Sequence, residues 1–219
     1  MLSLIIKDFL IQKRIAALGA LYIIIMTIAL QNSSEGVYPA SIIMLTYILT
    51  QTACAYDDKN KTDILINSLP VKRYSVVLAR YISVFFYAAF SSIVYYLVHL
   101  LFNAVSFPIK SPPITPPGIL GAILALSLIT GLYYPIFFKL GYTKGKFYNM
   151  VIFFMVFFGI GGVSNIVISR QNIAFIESLA GIVNSLPELF IGILIILVSM
   201  VILLISYTIS LYYYKKRDF

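Results

Sequence analysis

Long runs of apolar residues alternate with short polar connections along the whole chain. A helix needs about 20 mostly apolar residues to cross a hydrocarbon core of about 30 Å, because each residue adds about 1.5 Å. Six runs predict membrane-spanning helices, at about 15–31, 37–55, 81–107, 114–138, 147–168 and 189–214. The ten-residue stretches of alternating polarity that indicate a β-barrel do not occur. The pattern therefore predicts an all-α integral membrane protein with one transmembrane domain over 1–219.

The composition of the chain also indicates that most of it is surrounded by lipid rather than water. Hydrophobic residues make up 61% and charged residues 11% of the sequence, whereas soluble domains carry roughly 25% charged residues. The formal net charge of +8 could suggest nucleic acid. The cations stand in small groups between apolar runs rather than along one polar face, so membrane topology explains them and no nucleic-acid partner is expected.

The distribution of Lys and Arg predicts the orientation of the six spans. Alternate connections hold fourteen of these cations: Lys7, Lys13, Arg14, Lys59, Lys61, Lys72, Arg73, Arg80, Lys139, Lys144, Lys146, Lys215, Lys216 and Arg217. The other connections hold two, Lys110 and Arg170. Because short cytoplasmic loops carry the excess of Lys and Arg, both termini are predicted to be cytoplasmic.

The first 14 residues show an amphipathic pattern at helical spacing. Its apolar side holds Leu2, Ile5, Ile6 and Phe9, and its polar side holds Lys7, Asp8 and Gln12. Such a helix can lie in the headgroup layer, although an extension of the first span fits the pattern equally well. On the outer side, the semi-apolar stretch at 169–188 predicts a re-entrant segment, with a surface loop as the alternative.

Several kinds of catalytic chemistry are missing from the sequence. No GxxxxGK[ST] phosphate loop occurs, and the nearest string, "GYTKGK" at 141–146, has the wrong spacing. His99 is the only histidine and Cys54 the only cysteine, so neither a metal site nor an internal disulfide is expected. The chain is therefore predicted not to be an enzyme and to have no cofactor of its own.

The stretch "YDDKNKTDILINSLPVKRYSVVLARY" at 56–81 departs from its surroundings. It holds eight of the 24 charged residues in 26 positions. Asp57 or Asp58 is predicted to cap a short helix, since a carboxylate there meets unpaired amides. Ile64, Leu65 and Leu69 would form its apolar edge, and Pro70 would end it. A second helix with Lys72, Arg73 and Arg80 would run into the third span.

This stretch, the N-terminal "LIIKDFLIQKR" and the six-span layout resemble the membrane subunits of ABC transporters of the ABC-2 type. The order of a polar helix, "SLPV" with basic residues and "VLARY" is similar to that of small bacterial permeases, among them the phenol-soluble modulin exporters. The resemblance implies the ABC-2 (type V) exporter fold, in a multi-pass protein of the bacterial cell membrane.

The resemblance also implies a division of labour. A separate ABC ATPase subunit, which binds ATP and Mg²⁺, would dock on the coupling helix in the loop at 56–80. The docking residues would be Asp57, Asp58, Lys61, Ile64, Leu65, Leu69 and Pro70. Residues 1–14 would be an interfacial connecting helix. A second permease, the same chain or a paralogue, would complete a path for amphipathic peptides, antimicrobial agents or other hydrophobic compounds.

Two other functions fit parts of the pattern. The first is an ATPase-independent membrane protein that confers immunity or binds a partner, and a neighbouring reading frame with GxxxxGK[ST] would argue against it. The second is an intramembrane enzyme, which is disfavoured because the spans show no nucleophile with a base and no carboxylate pair.

Single cysteines placed at Ser34 and Lys144 test the predicted topology. A membrane-impermeant thiol reagent applied to intact cells should label Ser34→Cys, and Lys144→Cys should react only after the membrane is opened. The reverse pattern would overturn the orientation.

Overall fold

Every regular element in the described part of the chain is an α-helix. The computed structural model describes residues 7–8, 10–30, 36–68, 72–104, 112–169 and 187–216. Its helices are α1 (Lys13–Ala29), α2 (Val37–Lys59), α3 (Thr62–Ser68), α4 (Arg73–Ala104), α5 (Pro116–Leu140), α6 (Tyr142–Ser169) and α7 (Glu188–Lys216). The prediction of an all-helical protein is confirmed for these residues.

Within the described residues, four helices are long and apolar enough to cross a membrane. They are α2 with 23 residues, α4 with 32, α5 with 25 and α7 with 29. Helix α1 has 17 residues and would span about 26 Å, somewhat less than a hydrocarbon core of about 30 Å. Helix α6 has 28 residues, but its side chains after Gly159 lie outside the described part. Six spans and the orientation of the termini stay predictions.

The helix ends differ from the predicted span edges because a change in polarity marks a membrane surface rather than the end of a helix. Helix α2 continues four residues beyond the predicted edge at 55, through the charged residues Asp57, Asp58 and Lys59. Helix α4 begins at Arg73, eight residues before the predicted edge at 81. The predicted re-entrant segment lies almost wholly in 170–186, outside the described residues.

Local sequence explains how α5 begins and how it meets α6. Thr115 is the N-cap of α5, and its hydroxyl accepts a hydrogen bond from the Gly118 amide at 3.3 Å. At the other end, only Gly141 separates α5 from α6. Its φ of 78° lies in the region that favours glycine, and its amide donates to the Phe137 carbonyl at 2.8 Å.

Two clusters of buried side chains form the core. The first joins α1, α2, α4, α5 and α6, and includes Ile23, Leu45, Tyr95, Leu126 and Phe153. The second joins α2, α3, α4, α5 and α7, and includes Cys54, Ile66, Val77, Tyr134 and Tyr214. The second cluster therefore holds together the helix ends that carry most of the cations.

We call this region the basic end of the bundle, defined by Lys59, Arg73, Lys139, Lys144 and Lys216 at the ends of α2, α4, α5, α6 and α7. Two contacts link these ends directly. The Thr143 hydroxyl of α6 donates to Asp58 at 2.6 Å, and the Arg73 guanidinium donates to the Lys215 carbonyl at 2.7 Å. Cation groups separated in sequence by whole helices thus share one end.

Helices α5 and α7 approach each other closely at Gly131. A Cβ atom at this position would lie 2.9 Å from Ile202 Cγ2. The Ser206 hydroxyl donates to the Gly131 carbonyl at 2.6 Å. Tyr81 of α4 also contacts the hydroxyls of Ser206 and Ser210, at 2.6 and 2.8 Å. Because Ser206 gives its proton to Gly131, Tyr81 must donate to Ser206, so the hydroxyls join three helices.

Gly131→Leu should therefore weaken the packing of α5 against α7. Overpacking a close contact costs roughly 1–3 kcal/mol, so we expect a lower midpoint of thermal unfolding for the protein in detergent. Gly121→Leu in the same helix is the matched control, because a Cβ atom at Gly121 would meet no atom within 4 Å. Equal midpoints for the two variants would contradict the contact.

Candidate functional site

The charged stretch that stands out in the sequence folds as the end of α2, a tight turn and α3. Asp57 and Asp58 lie in the last turns of α2, so the prediction that one of them caps the start of a short helix is wrong. Lys61 takes a left-handed conformation with φ of 48°. The turn at Asn60 and Lys61 leads into α3, a helix of seven residues, Thr62–Ser68.

Carboxylates are unfavourable at the C-terminal end of a helix, because the helix dipole is negative there. In this protein each carboxylate has a partner that offsets the repulsion. Asp57 pairs with Arg80 and with Lys7, whose Nζ lies 3.2 Å from Asp57 Oδ1. Asp58 accepts a hydrogen bond from the Thr143 hydroxyl. The acidic end of α2 is thus explained by contacts with other segments rather than by helix capping.

A buried ion-pair cluster forms around Arg80 and consists of Lys7, Asp8, Asp57 and Arg80. Arg80 Nη1 donates to Asp8 Oδ2 at 2.8 Å, and Arg80 Nη2 pairs with Asp57 Oδ2. Lys7 Nζ lies 3.2 Å from Asp8 Oδ1 and from Asp57 Oδ1. The cluster therefore connects the N-terminal segment, the end of α2 and the start of α4.

The cluster balances its charge inside the protein. Arg80 is 7% exposed, and Asp8 and Asp57 are each 6% exposed, while the Lys7 side chain keeps 31% exposure. Two cations face two carboxylates, so no net charge is buried. Burying an unpaired charge costs several kcal/mol, and this cost explains why the three segments must come together.

Hydrogen bonds extend the cluster on two sides. The Gln12 amide group donates to the Asp8 carbonyl and to the Tyr87 hydroxyl, each at 3.1 Å. The Tyr134 hydroxyl of α5 donates to the Arg80 carbonyl at 3.1 Å. The predicted polar side of the N-terminal segment thus packs inward at Asp8 and Gln12. The predicted apolar side, Leu2, Ile5, Ile6 and Phe9, lies outside the described residues.

Two apolar side chains of α3 are described, one buried and one exposed. Ile66 is 7% exposed and packs in the second core cluster, whereas Leu65 is 64% exposed. Because α3 is anchored through Ile66, it holds Leu65 on the surface at the basic end of the bundle. An exposed leucine on a short anchored helix is suited to contact another protein.

The predicted docking residues do not all share one surface. Lys61 and Leu65 are exposed, and Asp58 is exposed beside Thr143. Asp57 is buried in the ion-pair cluster, so its carboxylate faces the protein's own Arg80 and Lys7. The side chain of Ile64 and residues Leu69 and Pro70 lie outside the described part.

Asp8 and Arg80 are the important residues that the sequence pattern did not single out for this site. A faint signal was present, since Asp8 and Gln12 are four residues apart and share a helix face. Arg80 directly precedes the third apolar run, where a cation needs a counter-ion if it is buried. Among the described residues, no group of three or more His, Cys, Asp or Glu side chains could hold a metal ion.

The ion-pair cluster can be tested by removing its central cation. Arg80→Met leaves Asp8 and Asp57 buried with Lys7 as their only partner in the cluster. Breaking a buried pair in this way costs about 3–5 kcal/mol, so the midpoint of thermal unfolding in detergent should fall strongly. Lys59→Met, at an exposed cation in the last turn of α2, should change it little.

A second substitution provides the charge control. Arg80→Met combined with Asp57→Asn leaves one cation and one carboxylate, and part of the lost stability should return. If Arg80→Met lowered the midpoint of thermal unfolding no more than Lys59→Met, the cluster would not stabilise the fold.

Comparison with known proteins gives one match. A family model described as ABC-2 family transporter protein matches residues 3–215. No curated protein and no solved structure matches the chain. The match includes most of the N-terminal segment, the ion-pair cluster, α3 and the four described helices that are long and apolar enough to cross a membrane.

Proposed function

The chain belongs to the ABC-2 transporter family, and from this premise we propose that it is the permease subunit of an ATP-driven exporter. Its helices make it a multi-pass membrane protein. The family implies a partner ABC ATPase, and in our proposal ATP and Mg²⁺ bind to that separate subunit. The compounds moved would be amphipathic peptides, antimicrobial agents or other hydrophobic compounds, crossing a bacterial cell membrane.

The observation that carries the proposal is the position of α3. This helix connects two long apolar helices, α2 and α4, at the basic end of the bundle. The excess of Lys and Arg at that end supports a cytoplasmic location, where a separate ABC ATPase would be able to bind. Leu65 would contact the ATPase, with Lys61 and Asp58 beside it, and Ile66 would hold α3 against the membrane helices.

The ion-pair cluster suggests how movement of the ATPase would reach the membrane helices. A push on α3 acts on the end of α2, since only Asn60 and Lys61 separate the two helices. Asp57 in that end pairs with Arg80 of α4, and Arg80 pairs with Asp8 of the N-terminal segment. In this proposal the three segments move together between inward-facing and outward-facing states.

A second permease would complete the path, as the same chain or as a paralogue. The phenol-soluble modulin exporters remain the proposed relatives among small bacterial permeases. A pull-down of the chain from its native membrane tests the whole proposal. It should recover an ATPase with a GxxxxGK[ST] motif, and it should show whether the second permease is identical. Recovery without any ATPase would favour an immunity or partner-binding protein instead.

Leu65→Asp should abolish co-purification with the ATPase, because a carboxylate replaces an exposed apolar contact and cannot be buried unpaired in an interface. Ile64→Asp and Leu69→Asp can be added to extend the change along the predicted apolar edge. The measurement is the amount of ATPase recovered per permease after affinity purification from membranes.

Leu10→Asp is the matched control for this experiment. Leu10 is 61% exposed, close to the value for Leu65, and lies in the N-terminal segment, which is also predicted to be cytoplasmic. Both variants should insert into the membrane in normal amounts, and the control should keep the ATPase. Retained binding by Leu65→Asp would place the docking site elsewhere.

A further inference from the structure

A groove lies at the basic end of the bundle, where the end of α5 meets the start of α6 and the end of α7. Its volume is about 290 Å³, near the lower end for sites that bind small molecules, roughly 300–1,000 Å³. Ile136 and Ile209 form part of its apolar wall, and Lys139, Tyr148 and Tyr213 add polar ends. This groove shares no lining residue with α3 or with the ion-pair cluster.

The packing of α5 explains why the groove is present. Helix α6 packs against α5 near Gly145, where a Cβ atom would lie 3.8 Å from Phe137 Cα, an ordinary van der Waals distance. Helix α7 approaches α5 on its other contact surface at Gly131. The two neighbours thus flank α5, and the furrow between them opens outward, where Tyr148 is 52% exposed and Ile209 41% exposed.

The positive charge around the groove favours the binding of an anionic ligand. Lys139 Nζ lies 5.2 Å from the centre of the Tyr213 ring, and its ammonium keeps donors for a further partner. Lys144 and Lys146 belong to the start of α6, and Lys215 and Lys216 to the end of α7. Among the described side chains, three carboxylates at this end are already engaged, Asp8 and Asp57 in the ion-pair cluster and Asp58 with Thr143.

We propose that this groove binds an anionic phospholipid. The headgroup phosphate would meet the Lys139 ammonium and the hydroxyls of Tyr148 and Tyr213, and an acyl chain would follow Ile136 and Ile209. The position at the end of long apolar helices is the depth at which headgroups lie, and basic recesses between membrane helices are suited to such lipids. An apolar wall below a cation matches a lipid better than a soluble anion.

Native mass spectrometry of the full chain, purified in detergent, tests this site. The chain is titrated with 1-palmitoyl-2-oleoyl phosphatidylglycerol or with the corresponding phosphatidylcholine. The wild type should retain the phosphatidylglycerol preferentially. Lys139→Gln should lower its retention about five-fold, the effect of one cation near an anionic headgroup. Lys59→Gln, which removes an exposed cation at the same end of the bundle, should leave it unchanged.

Ile209→Trp tests the apolar wall without changing any charge. It should narrow the groove and lower the retention of phosphatidylglycerol while the protein still elutes as a folded species. If Lys139→Gln and Lys59→Gln lowered the retention of phosphatidylglycerol equally, the lipid would be held by the overall positive charge of this end, and the proposal would be overturned. Equal retention of the two lipids by the wild type would overturn it as well.

A second copy of the chain is the competing occupant of the groove. Tyr148→Cys in a Cys54→Ala background reports on this alternative through disulfide cross-linking in membranes. We expect the variant to remain largely uncross-linked. Efficient cross-linking between two chains would assign the groove to a subunit interface and overturn the lipid site.

Discussion

The pairing of Arg80 with Asp8 and Asp57 is the contact on which the basic end of the bundle depends. A guanidinium that is 7% exposed needs an opposite charge within reach. Its two carboxylates come from segments that are about 50 residues apart in sequence, and the pairs fix both segments against the start of α4. The N-terminal segment is thereby part of the folded bundle, and α3 begins from a fixed point at the end of α2.

The sequence predicted the parts of this fold that depend on local pattern. Runs of apolar residues located the four long helices, and the predicted break between a short helix and the next long one agrees with the end of α3 at Ser68 and the start of α4 at Arg73. It did not predict where α2 ends, because Asp57, Asp58 and Lys59 look like a surface loop. These charged residues remain helical because Arg80, Lys7 and Thr143 reach them from other segments, and no short-range pattern reports such distant contacts.

The sequence pattern predicted the short helix of the candidate site but not which of its residues are buried, because burial again depends on contacts between distant segments. The location of a short helix between α2 and α4 follows from the polar stretch and its flanking apolar runs. The division between buried Ile66 and exposed Leu65 follows only from how α3 lies on the second core cluster. The charge pattern predicted similar roles for Asp57 and Asp58, whereas the fold buries Asp57 and leaves Asp58 exposed.

The single residue between α5 and α6 determines how these helices can move relative to each other. Helix α6 contains 28 residues and is therefore about 42 Å long. Because Gly141 is the only residue between the two helices, a rotation of α6 relative to α5 would have its pivot at the basic end. A rotation of about 10° around that pivot displaces the far end by about 7 Å, given the rise of about 1.5 Å per residue. Small changes in angle at one surface of the bundle thus become large displacements at the opposite surface.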